Sequence, residues 1–449
     1  MRVKPNKTLP MFCFVFLVSI CLFTTFTVML TNASPEATKT SRSIVLQGIT
    51  RHDGVIYNLY ETEFKKLYPE VSDIQWLEIS DPLQWPSAIL SPSYSIDILW
   101  GGGPTVFNLV ADQGLVLPIQ NATLENYLKT NVPATFGGGA MMRKDSSDDI
   151  LWVAAAISSF GYTINTANLA TRGLPTPETW EDLASPEFFL GTTQHAVGMG
   201  EAPGTTSNTR VYQIILQAYG WEAGWDIITR MAGNSKIFPE SGDTRDSVVV
   251  GEQSAAMTID FYGYQAQAQN PDCNYIIPKG ESIINGDPIC VASSSSGDDR
   301  DYAEKFIQFV MSPEGQGLWL HPDINRLPML EEGFDYPYGG TPRPDLEAGW
   351  NDAKEGGGID FNETLAGEIY DSVIWYFHGT LTEVTEQLYT AWQTIVNAYE
   401  HQEISEEEYR SLSREMSDPS ITLADAKRIE QEIMADPNVA DTYVNTWKS

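Results

Sequence analysis

Between Ser43 and Glu78 the chain alternates an apolar strand, an amphipathic helix and a second strand, and this alternation constrains the fold more than any other feature. Residues 43–50 (SIVLQGIT) read as a strand, residues 55–68 put Leu59, Phe64 and Leu67 on one helical face, and residues 74–78 read as the next strand. Strands joined through a helix run parallel, and a parallel sheet must be covered on both faces, so the expectation is an α/β domain. The pattern recurs further on. Residues 96–100 form another buried strand feeding a helix that begins near Pro104. Residues 161–191 (GYTINTANLATRGLPTPETWEDLASPEFFLG) read as a strand, then a stop at Pro175 and Pro177, then a turn carrying Trp180 to Leu183 that Thr179 is placed to cap. Helical spacing dominates beyond Pro344, with Ser405 and Thr422 at cap positions and Pro419 between the last two helices.

The first residues point to export. Arg2, Lys4 and Lys7 precede an uncharged apolar run over residues 9–30, followed by the small-residue stretch Thr31, Asn32 and Ala33. The run is longer than the ~7–15 residues of a usual signal core and near the ~20 that span a bilayer, so a cleaved leader and a retained N-terminal anchor both stay open. Cys21 follows Ile20, a poor context for lipidation. With Lys+Arg 27 against Asp+Glu 60, the net charge of −33 argues against nucleic acid as a partner, since phosphate backbones would be repelled. About 400 residues beyond the leader exceed one core of ~100–200 residues, so two or more lobes are expected.

Catalysis finds little support in the sequence. Five histidines are present, and no H-E-x-x-H, G-x-S-x-G, Walker A or strand-linked G-x-G-x-x-G pattern occurs. No enzyme activity and no cofactor are expected. Cys273 and Cys290 flank a stretch with turn residues at Pro278, Lys279, Gly280, Asn285 and Gly286, which reads like a hairpin; a disulfide and a pair of buried thiols are the two readings, the disulfide favoured outside the cell. Asn121 and Asn362 head N-x-T sequons, a weak glycosylation signal.

Five segments in register resemble one family. SIDILWGGG (residues 95–103), the passage at 161–191, VVVGEQSAAMTIDFY, GDPICVASSSSGDDRDYAEKFIQFVMSPEGQGLW and NRLPM are similar to successive motifs of the extracellular solute-binding proteins of ABC importers, in the cluster that captures ferric iron, thiamine, polyamines or phosphonates. The resemblance covers roughly residues 44–329. It implies a two-lobed type 2 periplasmic-binding-protein fold, here with a C-terminal helical extension. The organisation expected is a leader or anchor at 1–33, lobe 1 at 43–160 and 289–344, lobe 2 at 161–288, and a helical region at 345–449. The implied location is periplasmic or cell-surface, with a permease and its ATPase as partners.

Ligands in open α/β sheets lodge at the carboxyl ends of strands, so four segments are candidates for the cleft. Arg51 and His52 follow the first strand, where the resemblance to ferric-binding members implies a metal-ligating histidine, although Asp53 stands in place of their tyrosine. Trp100, Gly102, Gly103 and Thr105 offer a ring and a helix start. Thr205, Thr206 and Ser207 lie at another helix start, as caps or as ligand contacts. Asp260, Tyr262 and Tyr264 fall where ferric-binding relatives carry adjacent tyrosines, so His52, Asp260, Tyr262 and Tyr264 are the metal set if iron is the ligand. The tyrosines here are split by Gly263. An oxygen-rich organic solute, such as a phosphonate, a sugar phosphate or a thiamine-like molecule, is placed slightly ahead of ferric iron. A surface adhesion or sensory protein without transport is the rival of another class.

Overall fold

The computed structural model describes residues 43–79, 84–355 and 358–448, and the leader signal at 1–33 lies outside them. The N-terminal alternation folds as its pattern demands. Strand β1 (Ile44–Thr50), helix α1 (Gly54–Leu67), β2 (Val71–Glu78), β3 (Ile98–Trp100) and α2 (Pro104–Asp112) follow one another. β1 pairs in parallel with both β2 and β3. Asp53 caps α1, its carboxylate accepting from the N–H groups of Val55 at 3.1 Å and Ile56 at 3.3 Å, which gives the residue standing in place of a tyrosine a local structural task.

The sheet then passes into one 16-residue strand, β4 (Ile150–Asn165), buried along nearly its whole length. Lobe 2 is built on its second half by α3 (Trp180–Leu183), β5 (Val197–Gly200), α4 (Thr206–Tyr219), α5 (Trp221–Gly233), β6 (Ser235–Phe238), β7 (Ala255–Ile259), α6 (Asp260–Gln269) and β8 (Cys273–Ile276). Thr179 and Asp182 form a reciprocal capping box on α3, as the sequence spacing requires. β7 runs antiparallel to β4 from Phe160 to Ile164 and parallel to β5. The return strand β9 (Ile284–Ala292) pairs with the first half of β4 and with β3, giving the order β6-β5-β7-β4-β9-β3-β1-β2. The chain therefore leaves lobe 2 between Ile276 and Ile284, ahead of the Pro288 expected for this passage. Pro288 sits instead at a register shift in β9, consistent with a residue that cannot donate to the ladder.

Lobe 1 closes with α7 (Gly297–Val310) and α8 (Pro344–Glu355). The later helices, α9 (Glu363–Glu368), α10 (Tyr370–Phe377), α11 (Thr385–Glu400), α12 (Glu406–Ser417), α13 (Leu423–Ala435) and α14 (Val439–Trp447), pack on lobe 2, most of them in its core, while Trp392, Ile395 and Val396 of α11 and Tyr409 of α12 form a small apolar cluster of their own. Phe377 stacks on Tyr212 at 4.5 Å, Tyr376 meets Trp225 edge-on at 4.8 Å, and Trp392 Nε1 donates to Asn234 Oδ1 at 2.8 Å. Ser405 with Glu408 and Thr422 with Asp425 form capping boxes on α12 and α13. No helix among the described residues is long and apolar enough to cross a membrane.

Two expectations are corrected. β8 and β9 are not a hairpin, since each pairs with β4. Cys273 lies opposite Asn165 in lobe 2, whereas Ile289, beside Cys290, lies opposite Val153 in lobe 1. From Val153 to Asn165 an extended strand covers roughly 40 Å, far beyond the ~7 Å between Cα atoms that a disulfide tolerates. Both cysteines are free and buried, and burial pushes the Cys290 thiol well up and Cys273 to about 11. Peptide mapping of protein unfolded without reductant is therefore expected to find Cys273 and Cys290 each alkylated singly; a 273–290 cross-linked peptide would contradict this topology.

Candidate functional site

Where β1 and β3 end and β9 begins, at the junction of the lobes, these segments face the first turn of α4. A cavity of about 730 Å³ opens between them. From lobe 1 it is lined by Arg51, His52, Gly102, Gly103, Thr105 and Arg326, and from lobe 2 by Thr206, Ser207, Arg210 and Tyr262. The run Gly101-Gly102-Gly103 holds φ values of +80°, +121° and +82°. A Cβ at Gly101 would stand 2.7 Å from His52 Nε2, and one at Gly102 would stand 2.9 Å from Arg51 Cδ. Only glycine both adopts these angles and leaves room for the two side chains.

His52 is 3% exposed, set edge-on to Trp100 at 4.7 Å. Burial lowers its imidazole to about 4, against an upward pull from Asp287 and with a smaller downward push from Arg326, so the ring is neutral at pH 7. Its Nε2 is 3.8 Å from Asp287 Oδ2, too far for a hydrogen bond, and has no hydrogen-bond partner among the described residues. The contact is accordingly not an ion pair. Burial would raise the Asp287 carboxyl, yet His52, Arg326, the Gly102 N–H and Arg51 together hold it below its ordinary range. With His52 neutral, Arg326 supplies the nearest charge, its Nη1 lying 2.5 Å from Asp287 Oδ2. Arg326 also lies 4.5 Å over the ring of Phe261, which ties lobe 1 to lobe 2.

Arg51 differs from the other cationic groups of the cleft: among the described residues its guanidinium has no hydrogen bond or ion pair. Opposite it, α4 begins without a side-chain cap, because Thr205 Oγ1 donates to the Glu201 carbonyl at 2.7 Å. The first N–H groups of a 14-residue helix thus meet the cavity unspent, beside the hydroxyls of Thr206 and Ser207. An uncommitted arginine facing an uncapped helix start is suited to hold an oxyanion.

Four of the candidate residues do not reach the cavity. Trp100 is fully buried in an aromatic cluster with Tyr60, Trp76, Phe306 and Trp319. Thr205 is buried by its bond to Glu201. Asp260 accepts from the N–H groups of Ser159 and Phe261, each at 2.7 Å, pinning α6 to β4; burial lifts its carboxyl to about 7. Tyr264 packs edge-on to Tyr275 under Gly349, and burial holds its phenol well above the ordinary range, which opposes a phenolate. Of the four suggested metal donors only His52 and Tyr262 line the cavity. The sequence singles out neither Arg210, Asp287 nor Arg326, although Asp287 and Arg326 lie in segments that carried the family resemblance and Arg210 closely follows the helix start at Thr205 to Ser207.

A sequence model described as bacterial extracellular solute-binding protein matches residues 77–335, more than half of the chain. The phosphoglycerate transport regulatory protein PgtC of Salmonella typhimurium is 28% identical over 186 residues, 41% of this chain and 45% of that protein. The chain thus spans under half the length of this relative. The ferric ion-binding protein A of Pasteurella haemolytica superposes with a TM-score of 0.53 at 15% identity, over 74% of this chain and 95% of that one. The spermidine/putrescine substrate-binding protein PotD of Streptococcus pneumoniae gives 0.57 at 14% identity, over 75% and 98%. At these identities the likeness shows a shared two-lobed α/β fold.

Buried carboxyls make stability pH-dependent in a defined direction. Burial lifts Asp97 to about 6 and Asp260 and Glu430 to about 7. Each keeps its proton in the folded chain where the unfolded chain has lost it, so folding is weakened as pH rises from about 4 through these values. His52 acts oppositely, its contribution being lost as pH falls below about 6.5 toward 4. Between pH 8 and about 7 the carboxyls dominate, because His52 and His195, both lowered by burial, act mainly as pH falls through about 6.5. The melting temperature is expected to rise on that descent, and Glu430→Gln to flatten the rise. A melting temperature that falls or holds level, with Glu430→Gln unchanged in slope, would contradict it.

Proposed function

The chain belongs to the bacterial extracellular solute-binding protein family, and from that premise we propose that it is the exported solute-binding component of an ABC importer, capturing a small organic acid in the cleft between its lobes. The solute carries a phosphate, phosphonate or carboxylate. Arg51 forms the counter-charge, the first turn of α4 supplies N–H donors, Thr206 and Ser207 supply hydroxyls, and Tyr262 is a wall. The observation that carries this reading is the uncommitted Arg51 guanidinium in a cavity of about 730 Å³. In a chain of net charge −33 such a cation stands out, and water exclusion strengthens its pull on an anion. The name of the Salmonella relative adds a phosphorylated three-carbon acid as the first solute to try.

Ferric iron is the second reading, supported by the structural neighbour that bears that name. It ranks lower because Asp260 and Tyr264 are both turned into packed interiors. Delivery to a permease and its ATPase follows from the transport reading. The word regulatory in the relative's name supports a sensory role as the alternative of another class. A neighbouring permease gene separates the two.

Thermal shift with inorganic phosphate, 3-phosphoglycerate, a phosphonate, thiamine phosphate and ferric citrate ranks the ligand classes, since a ligand at ~100 times its dissociation constant adds ~2.7 kcal/mol. An organic acid is expected to stabilise the protein most. Arg51→Met should weaken that ligand by at least about tenfold, in line with the ~1.5–3 kcal/mol of a charged hydrogen bond. Stabilisation by ferric citrate alone, or an Arg51→Met protein with unchanged affinity, would overturn the proposal.

A further inference from the structure

The helical extension sets a carboxylate against two residues that line the cleft, Thr105 and Arg210. Glu363, the first residue of α9, accepts a short hydrogen bond from Thr105 Oγ1 at the start of α2. The same carboxylate accepts from Arg210 Nη2 at 3.1 and 2.9 Å, and Arg210 also donates to Thr105 Oγ1 at 2.9 Å. Thr105 belongs to lobe 1 and Arg210 to lobe 2, and both line the cavity. Glu363 thus bridges the lobes at a place equipped for an anion: a second arginine, a hydroxyl, and a helix whose start at Gly103 carries no side-chain cap.

The carboxylate is held there by lobe 2. Gln213 Nε2 donates to the Ala366 carbonyl at 2.8 Å, Gln217 Oε1 accepts from the Asn362 N–H at 2.7 Å, and Arg210 stacks 4.7 Å over Phe361. Against these, lobe 1 reaches Glu363 through the hydroxyl of Thr105, which donates to its carboxylate. Arg210 and Glu363 therefore travel together, and Arg210 has no charge left over for a solute.

We propose that Glu363 is an internal counter-anion that determines specificity: it fills the Thr105–Arg210 half of the cleft, confines the solute's acidic group to the Arg51 half, and excludes a second acidic group. This rests on the acidic-solute reading given above. A neutral residue at 363 converts the occupied half into a second anion site, and it removes the tie that draws α2 toward α4.

Isothermal titration of the full chain with inorganic phosphate tests the assignment. The wild type is expected to bind one equivalent, Glu363→Gln two, and the double variant Arg210→Met/Glu363→Gln one again. One equivalent on both the wild type and Glu363→Gln overturns this inference and leaves the acidic-solute reading standing. No phosphate bound by the wild type overturns both. The double variant, with its partly buried ion pair replaced as a unit, carries the test should Glu363→Gln alone not fold: its phosphate affinity is expected to equal that of the wild type. A tenfold loss there, about 1.4 kcal/mol, would mean that Arg210 already serves the solute and would overturn the inference.

Discussion

The continuous strand β4 is the constraint on which the rest of the molecule depends. Its first ten residues complete the sheet of lobe 1 and its last residues begin that of lobe 2, so one backbone sets the register of both. The run Ala154-Ala155-Ala156 keeps its side chains small where β9, Gln316 and Trp319 close in, and the Gln316 and Trp319 side chains both donate to the Ala155 carbonyl. At Gly161 an added Cβ would stand 2.0 Å from the Ile276 carbonyl oxygen, so β8 approaches where the strand enters lobe 2. A strand buried on both faces has to satisfy its polar groups by pairing, and interruption at this point would leave both half-sheets with open edges.

Because the sheets share that strand, the loops at the strand ends of lobe 1 face the first turn of α4 at a fixed place along it. The charges gathered there are arranged in different states of commitment. Arg326 is paired with Asp287 and Arg210 with Glu363, while the Arg51 guanidinium makes no hydrogen bond or ion pair among the described residues and acts on Asp287 only through its field. His52, neutral and buried, adds a ring nitrogen without adding charge. An anion entering such a cleft meets one cation whose desolvation is not already offset, which separates attraction from mere positive surface.

What the sequence disclosed was whatever is local. The strand–helix–strand period near the start, the helix begun by Pro104 and the caps at Thr179, Ser405 and Thr422 are decided within a few residues, and each stands as read, the caps being completed into reciprocal boxes by Asp182, Glu408 and Asp425. What it hid depends on contacts between distant segments. Trp100 reads equally as a cleft wall or as core, and it is Tyr60, Phe306 and Trp319 that bury it. Cys273 and Cys290 are near in sequence, yet separate stretches of β4 claim their strands. The sequence shows the C-terminal helices only as an extension, and their apolar faces pack on the core of lobe 2 while α9 lines the cleft. Arg51 was legible from its place after the first strand, whereas Arg210 and Arg326 were not, because a guanidinium becomes part of a site by what it faces.

The central claim is that an oxyanion rests between Arg51 and the first turn of α4. Crystals of the wild-type protein grown with selenate, an oxyanion of phosphate's shape whose selenium scatters anomalously, test it most directly. The account requires an anomalous peak within hydrogen-bond reach of the Arg51 guanidinium and the Thr206 or Ser207 N–H groups. Selenate found only on the outer surface, with the Arg51 side of the cleft empty, would contradict it.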